Sequence, residues 1–334
     1  MLKFNYEEYV KTCHEVVNLF SNIEKVVDEV YNKGFQNIFF ISSGGSVAEM
    51  LPLERLFKNH STIPVFLENA GDIVLTGNKH LTKESIVLMA SKSGDTKETV
   101  AAAKYCKTIG STIVSLVGVQ GSPLASLSDY VIDNHSKYME HTFINMYVFA
   151  HRMLFNNGEY PEYTKFIEHI KKAAIKLVDS FEKFEPVAAK IAKDHYKDDY
   201  QIWVGSGTMW GVVYLYAMCI LEEMQWIRTK SVTSADFFHG TLELVDETVP
   251  VFLIKTMDET RPLDNRVEKF INQFTEKGVI IDPKDYLPAE INEEIASRIS
   301  PIVMAAILKR LSYHFESRTG HSLEFRRYYR QFAY

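Results

Sequence analysis

The 334-residue sequence predicts an α/β protein with two similar units, each a doubly wound parallel sheet covered by helices on both faces. Short apolar runs alternate with amphipathic stretches of period 3.6, which is the pattern of strands joined by crossover helices. The pattern also repeats, because the runs that begin at residues 37 and 86 recur 164 and 163 residues later, at 201 and 249. The chain is long enough for two domains and 46% of it is hydrophobic, so it can bury a substantial core.

The first half of the chain shows this alternation from its beginning. Apolar residues at helical spacing predict one or two helices over residues 1–34. Apolar runs bounded by turn residues predict buried strands over 37–41, 65–67, 86–90 and 112–117. A helix is predicted after the first of these strands, and another between the third and Gly110. We therefore predict a first sheet domain over residues 35–160.

The second half follows a charged segment with helical spacing, which predicts linking helices over residues 161–196. Strands are predicted over 201–204, 249–254 and 278–281, and a helix over 209–227. The second sheet domain is therefore predicted over residues 197–334. The predicted fold is α/β, with two pseudo-repeated doubly wound domains and extra N-terminal and linking helices.

Charge, cysteine content and known motifs exclude several classes of function. The chain has 37 Lys and Arg against 43 Asp and Glu, a net charge of −6 without a basic cluster, which argues against a nucleic-acid partner. The three cysteines are far apart and the histidines lack ligand spacing, so we expect no metal. Neither GxGxxG nor GxxxxGK[ST] occurs, which disfavours nucleotide binding. No apolar run approaches the roughly 18 residues of a membrane span and no signal peptide is evident, so we expect a soluble cytoplasmic protein.

Two hydroxyl-rich turns lie where a predicted strand ends and a helix begins, the position at which open α/β sheets bind ligands. We call Ser43–Ser46 loop 1 and Ser91–Thr96 loop 2. Glycine allows a tight turn in each, and the hydroxyls and first-turn N–H groups can bind a phosphate monoester. The alternative is that the hydroxyls only cap the helices. The matching turn of the second half, 255–260, lacks glycine and carries two carboxylates, so we expect one phosphate site per chain.

With these loops in view, the chain resembles the sugar isomerase (SIS) domain family, in the two-domain group that includes the isomerase half of glucosamine-6-phosphate synthase and the Amadori-sugar deglycases. The resemblance extends from Asn37 to the end and is carried by loop 1, loop 2, Leu221–Trp226 and Asp236–Glu243. The deglycases are the more similar branch. They share Glu-Met-Gln-Trp, Phe-Phe-His-Gly and a C-terminal Arg-Arg-Tyr-Tyr, which is Arg326–Tyr329 here.

The resemblance implies roles for individual residues and no cofactor. The residues implied to hold the phosphate are Ser46, Ser91, Ser93 and Thr96, those implied to act on the open-chain sugar are Glu223 and His239, and candidate supporting residues are Gly45, Lys92 and Glu243. The synthase has a glutamate where this chain has Tyr216, and its C-terminal lysine, which assists ring opening, has no counterpart here. Both departures disfavour the synthase reaction.

Deglycation of an Amadori compound needs a base and an acid. A partly desolvated carboxylate such as Glu223 can take the C1 proton, and the imidazole of His239 can deliver a proton. The residues alone favour an ordinary surface carboxylate for Glu223 and a structural histidine for His239, and the resemblance reverses this in favour of catalysis. Helical spacing predicts that Tyr216 and Glu223 share one helix face, with Glu222 turned away. Glu243 either orients an imidazole or is a solvated residue at a strand start.

We expect an enzyme that converts a 6-phosphorylated Amadori sugar amine, of fructoselysine or glucoselysine 6-phosphate type, to a hexose 6-phosphate and a free amine. The alternatives are an aldose-ketose or aminosugar phosphate isomerase and a non-catalytic sugar-phosphate sensor. In the family, the histidine matched by His239 reaches the sugar bound by the neighbouring subunit. The resemblance therefore implies a homodimer or larger assembly with shared active sites, and Phe237 and Phe238 are predicted to anchor that interface.

Overall fold

The computed structural model describes residues 1–289 and 291–332, which form two compact units. The first unit comprises Tyr6–Ile175, and the second comprises Met1–Asn5 together with the described residues from Lys176 onward. The chain is divided between these compact units after residues 5 and 175. The domain boundaries expected from the sequence, after residues 34, 160 and 196, stay a prediction. Within the described ranges, no helix is long and apolar enough to span a bilayer.

The first unit contains a five-stranded parallel sheet of order β2-β1-β3-β4-β5. Its strands are β1 (Asn37–Ser42), β2 (Val65–Asn69), β3 (Ser85–Ser91), β4 (Thr112–Val117) and β5 (Tyr130–Asp133). Its helices are α1 (Tyr6–Asn18), α2 (Phe20–Asn32), α3 (Gly45–His60), α4 (Ala70–Thr76), α5 (Lys97–Ile109), α6 (Pro123–Leu127) and α7 (Met139–Asn156), and α8 (Tyr163–His195) continues into the second unit. All four predicted strands are confirmed. The sequence did not indicate β5, a four-residue edge strand whose side chains are mostly only half-buried or exposed.

Side chains of the first sheet alternate between two covered faces. On one face, Phe39 of β1 and Val87 of β3 pack in one cluster with Ala102 of α5. On the other, Phe40 lies against Phe57 of α3, with ring centroids 5.8 Å apart. Both faces are buried because the crossover helices lie on both sides, which explains why these strands are continuous apolar runs.

The second unit contains a four-stranded parallel sheet of order β7-β6-β8-β9. Its strands are β6 (Tyr200–Gly205), β7 (Arg228–Thr233), β8 (Val251–Ile254) and β9 (Gly278–Ile281). Its helices are α9 (Met209–Tyr214), α10 (Arg261–Phe274) and α11 (Glu293–Thr319), with a π-helix over Leu215–Gln225 and short 3₁₀ helices over Asp236–His239, Thr241–Leu244 and Pro283–Asp285. This strand order is that of β2-β1-β3-β4, which confirms the predicted repeat. The sequence did not indicate β7, because Arg228 and Lys230 give this edge strand a charged and largely exposed pattern.

The second sheet is also covered on both faces. Val204 and Leu253 pack with Val267 of α10 on one face. On the other, Trp203 stacks on Phe252 with ring centroids 4.2 Å apart, and Trp203 also lies 4.9 Å from Tyr216 of the π-helix. The two units thus repeat one layered architecture with different core side chains.

A buried arginine links three segments of the second unit. Arg310 is 3% exposed and donates to Glu185 from Nε at 3.1 Å and from Nη2 at 3.2 Å, and to the Leu2 carbonyl. Arg310→Met should lower the free energy of unfolding by about 3–5 kcal/mol, since it removes the arginine that pairs with the largely buried Glu185 carboxylate. Urea denaturation at neutral pH measures the loss. The exposed Arg318→Met serves as the control, and equal stability of the two variants would show that the Arg310 pair contributes nothing.

Candidate functional site

Loops 1 and 2 lie at the same edge of the first sheet. They follow β1 and β3, which are neighbouring parallel strands, so their carboxyl ends meet at one edge. Ser42 Oγ, at the end of β1, donates to the carbonyl of Ala90 in β3 at 2.5 Å. The structure therefore brings the two predicted phosphate loops together.

Loop 2 folds around its own hydroxyls. The backbone N–H of Gly94 donates to Ser91 Oγ at 3.0 Å, and Ser91 Oγ lies 3.2 Å from Thr96 Oγ1. Ser93 Oγ donates to the Asp95 carboxylate. Gly94 has φ +68°, and a Cβ there would come within 2.0 Å of Ser122 Oγ, so only glycine fits this turn. Ser91, Ser93 and Thr96 are thus gathered in one tight turn before α5.

The helices that begin at the two loops have uncapped N-termini. Among the described residues, no side chain makes a capping hydrogen bond at Gly44, which precedes α3, or at Thr96, which precedes α5. Gly45 and Ser46 form the first turn of α3 and are half-buried. The first-turn N–H groups can therefore point to an anion, which disfavours the alternative that the hydroxyls serve only as caps.

Glu49 is a buried acid near loop 1 that sequence analysis missed. It lies on α3 three residues after Ser46, so the two share a helix face, and it is only 9% exposed. Burial raises the pKa of Glu49 to about 8, against the opposing charge of Lys92 in loop 2. The carboxyl therefore carries a proton at neutral pH and adds no negative charge beside the loops. The only signal in the sequence was an acid in the apolar stretch Val47–Leu51.

If Ser93 Oγ donates to the phosphate, as the resemblance implies, Ser93→Ala should weaken binding of glucose 6-phosphate by about 1–3 kcal/mol, because that hydrogen bond to a charged oxygen is lost. Isothermal titration calorimetry measures the change. Ser128→Ala is a matched control, since Ser128 Oγ donates to the Leu124 carbonyl at 2.8 Å outside loop 2. Equal affinity of Ser93→Ala and the parent protein would place the anion elsewhere.

The second unit contains Glu223 on a π-helix rather than on the predicted α-helix. Only α9 is α-helical, and Leu215–Gln225 has i to i+5 hydrogen bonding, which turns the chain by less than 100° per residue. The prediction that Tyr216 and Glu223 share a face by α-helical spacing is therefore wrong. Tyr216 is fully buried, whereas Glu223 is half-buried and Glu222 is exposed. Glu222 accepts a hydrogen bond from Thr229 Oγ1 at 2.5 Å.

An arginine from the C-terminal tail contacts Glu223. Arg326 Nε donates to Glu223 Oε1 at 3.0 Å. Burial raises the pKa of Glu223 above its usual value, and the charge and hydrogen bond of Arg326 oppose that rise. Arg326 lies in the Arg-Arg-Tyr-Tyr segment of the tail, and the sequence did not indicate its contact with Glu223.

His239 ends the 3₁₀ helix Asp236–His239 and is exposed, as is Glu243 in the next short helix. In the part of the chain that the structure describes, no hydrogen bond joins Glu243 to His239, which favours the solvated alternative, although Glu243 lies in a 3₁₀ helix and not at a strand start. Phe237 is fully buried in the core of the unit, and Phe238 packs against the same cluster. The prediction that both phenylalanines anchor a subunit interface is therefore wrong for Phe237.

The turn after β8 contains its own anion. The carboxylate of Asp258 accepts hydrogen bonds from the backbone N–H groups of Thr208 and Thr260 at 2.7 and 2.9 Å. Although burial acts to raise the pKa of Asp258, these bonds and those from the two hydroxyls lower it below its usual value. A Cβ on Gly207 would come within 2.2 Å of this carboxylate. An internal anion therefore takes the donors that a phosphate would need, which supports the expectation of one phosphate site per chain.

This chain is similar to known proteins of the SIS domain family and to proteins named as deglycases. Residues 29–153 match the SIS domain family. The fructosamine deglycase FrlB of Bacillus subtilis (strain 168) is 29% identical over 312 residues, which are 92% of this chain and 95% of that protein. The fructoselysine 6-phosphate deglycase of Escherichia coli (strain K12) is 21% identical over 308 residues, 92% of this chain and 89% of that protein.

The fold has a similar counterpart among solved structures. A Bacillus subtilis protein provisionally named a phosphosugar isomerase superposes with a TM-score of 0.90 at 26% identity, covering 96% of this chain and 100% of that one. The sequence motifs, the two repeated parallel sheets and these relatives all indicate similarity to the same family. Over residues 29–153 this chain is similar to the SIS domain family, and over nine-tenths of its length it is similar to the fructosamine deglycase FrlB.

Proposed function

We propose that the protein is a deglycase that cleaves a 6-phosphorylated Amadori sugar amine to a hexose 6-phosphate and a free amine. The observation that carries the proposal is Glu223, a half-buried carboxyl whose pKa is raised by burial and which a cation contacts. A carboxyl tuned in this way is suited to proton transfer near neutral pH. The relatives named as deglycases support this choice over an isomerase.

The proposed reaction moves one proton at a time. His239 protonates the ring oxygen and takes up the proton of the O2 hydroxyl as the sugar opens. Glu223 then takes a proton from C1 while His239 returns its proton to O2, which leaves an enaminol. Reprotonation at C2 gives the Schiff base of the aldose 6-phosphate, and water then splits the C1–N bond to release the amine. Loops 1 and 2 hold the phosphate through Ser46, Ser91, Ser93 and Thr96. The steps need only proton transfer and water, and they balance without an oxidant or reductant.

The amine is proposed to be cationic, as in fructoselysine or glucoselysine 6-phosphate. Exposed carboxylates at Asp236 and Glu243 flank His239 in the sequence and would attract such a group. We further propose that the protein acts in the cytoplasm as a homodimer or larger assembly, with His239 reaching the site of the neighbouring subunit. Exposure of His239 supports this arrangement.

One assay separates the candidate functions. The purified protein is mixed with a panel of 6-phosphorylated Amadori compounds that carry lysine, aspartate or asparagine, and free amine and hexose 6-phosphate are both measured. A deglycase releases the two products in equal amounts. Interconversion of sugar phosphates without amine release would identify an isomerase, and binding without turnover would identify a sensor.

A further inference from the structure

We propose that Arg326 is a positioning residue for Glu223, which fixes the orientation of this carboxylate and favours its negative charge. The inference rests on the proposed function for its catalytic meaning, because the reaction needs an ionised base at C1. The contact on which it stands belongs to the structure itself. Arg326 comes from the C-terminal tail, 103 residues after Glu223.

The guanidinium of Arg326 is held by several acceptors at once. Nε donates to Glu223 Oε1 at 3.0 Å, and Nη1 donates to the carbonyls of Leu323 and Phe325 at 2.7 and 2.8 Å. The Arg326 and Glu223 side chains are only 17% and 29% exposed. The guanidinium is planar and its N–H donors point in fixed directions. Its charge-assisted hydrogen bond to Glu223 is therefore directional and limits the rotamers that the carboxylate can adopt.

The tail is itself attached to the end of the π-helix. Gln225 Nε2 donates to the carbonyl of His321 at 3.0 Å, and Thr319 Oγ1 donates to Gln225 Oε1 at 3.4 Å. Trp226 directly follows the π-helix and has φ +60°. The centroid of its ring lies 4.3 Å from that of the His321 ring and 4.2 Å from the Arg327 guanidinium. A non-glycine residue at positive φ is uncommon and persists only where surrounding contacts hold it. The segment 319–327 therefore places Arg326 beside Glu223.

The other charges around Glu223 are engaged or exposed. Its neighbour Glu222 bonds Thr229, and Arg228 and Lys230 of the adjacent strand β7 are exposed. On α11, His314 pairs with Glu185, Glu316 pairs with Lys3, and Arg318 is exposed. Of the described residues, Arg326 is the one for which the structure shows a charge interaction with Glu223.

The chemistry assigns Arg326 a role in positioning and not in proton transfer. A guanidinium does not lose its proton in proteins, so Arg326 cannot act as the acid or base. Burial raises the pKa of Glu223 and Arg326 opposes the rise, so removing Arg326 raises the pKa further. A base must be ionised, and a higher pKa moves the acidic limb of the activity profile to higher pH.

The test compares Arg326→Gln, Arg326→Lys and the exposed control Arg318→Gln. For amine release, Arg326→Gln should move the acidic limb of kcat/KM to higher pH and lower kcat, with KM little changed. Arg326→Lys keeps the charge but loses the fork, so the limb should stay near that of the parent while kcat falls. Arg318→Gln should match the parent in both.

A second measurement needs no activity. Carboxyl-¹³C glutamate labelling, with the Glu223 signal assigned by its absence in Glu223→Gln, follows the titration of Glu223 in the free protein. The midpoint should rise in Arg326→Gln and remain near the parent value in Arg326→Lys. If the parent releases no amine, the proposed function fails while this titration still decides the role of Arg326. An unchanged midpoint in a folded Arg326→Gln, or a raised midpoint in Arg326→Lys if the Gln variant does not fold, overturns the inference.

Discussion

Glu223→Gln is expected to lower turnover of a phosphorylated Amadori compound by at least about 100-fold while leaving the affinity for glucose 6-phosphate largely unchanged. The amide has the size of the carboxylate but cannot take a proton from C1. The phosphate is bound in our proposal by loops 1 and 2, which belong to the other compact unit. Amine release under saturating substrate measures turnover, and calorimetry measures the affinity.

The neighbouring acid is a matched control. Glu222 is exposed and its carboxylate is engaged by Thr229, so Glu222→Gln should keep turnover within a few-fold of the parent. This pair of variants separates the chemistry of one carboxyl from a general effect of charge on the π-helix. Near-normal turnover in Glu223→Gln would remove Glu223 from the mechanism.

His239→Asn should also lower turnover by about 100-fold or more, because asparagine keeps a hydrogen-bonding group but cannot donate and regain a proton as an imidazole can. His239 is exposed at the end of a 3₁₀ helix, so the substitution should leave the fold intact. The exposed His14→Asn, far from His239 in sequence and in the other unit, should behave like the parent. Comparable losses in both variants would point to destabilisation instead of catalysis.

Mixing the two inactive proteins tests whether active sites are shared between subunits. If Glu223 and His239 of one site come from different chains, a heterodimer of Glu223→Gln and His239→Asn contains one intact site and one doubly altered site. Subunit exchange should then restore a fraction of the parent activity. No recovery despite heterodimers detected by native mass spectrometry would mean that one chain supplies both residues, and a fully active monomer would exclude shared sites altogether.

The sheets were predictable because their signals are local. Strands β1, β3, β4 and β8 are short apolar runs between turn residues, and burial on both faces requires such runs. Edge strands β5 and β7 were not predicted because each has a neighbouring strand on one side only. Most of their side chains are half-buried or exposed, so they need not be apolar. The π-helix was not predicted for another reason. Its hydrogen bonds span one residue more than those of an α-helix, and this difference leaves no clear signal in the spacing of hydrophobic residues.

The repeated α/β architecture and loops 1 and 2 are predictable from the sequence, and the family motifs add the candidates Glu223 and His239. Only the tertiary structure showed that Arg326 contacts Glu223, that Glu49 is buried beside loop 1, and that Asp258 occupies the donors of the second turn. The spacing of hydrophobic residues and the residue types that form turns depend on neighbours along the chain, so they can be recognised directly in the sequence. The charge state of a carboxyl depends on solvent exclusion and on partners that can lie more than a hundred residues away, and these exist only after the chain has folded.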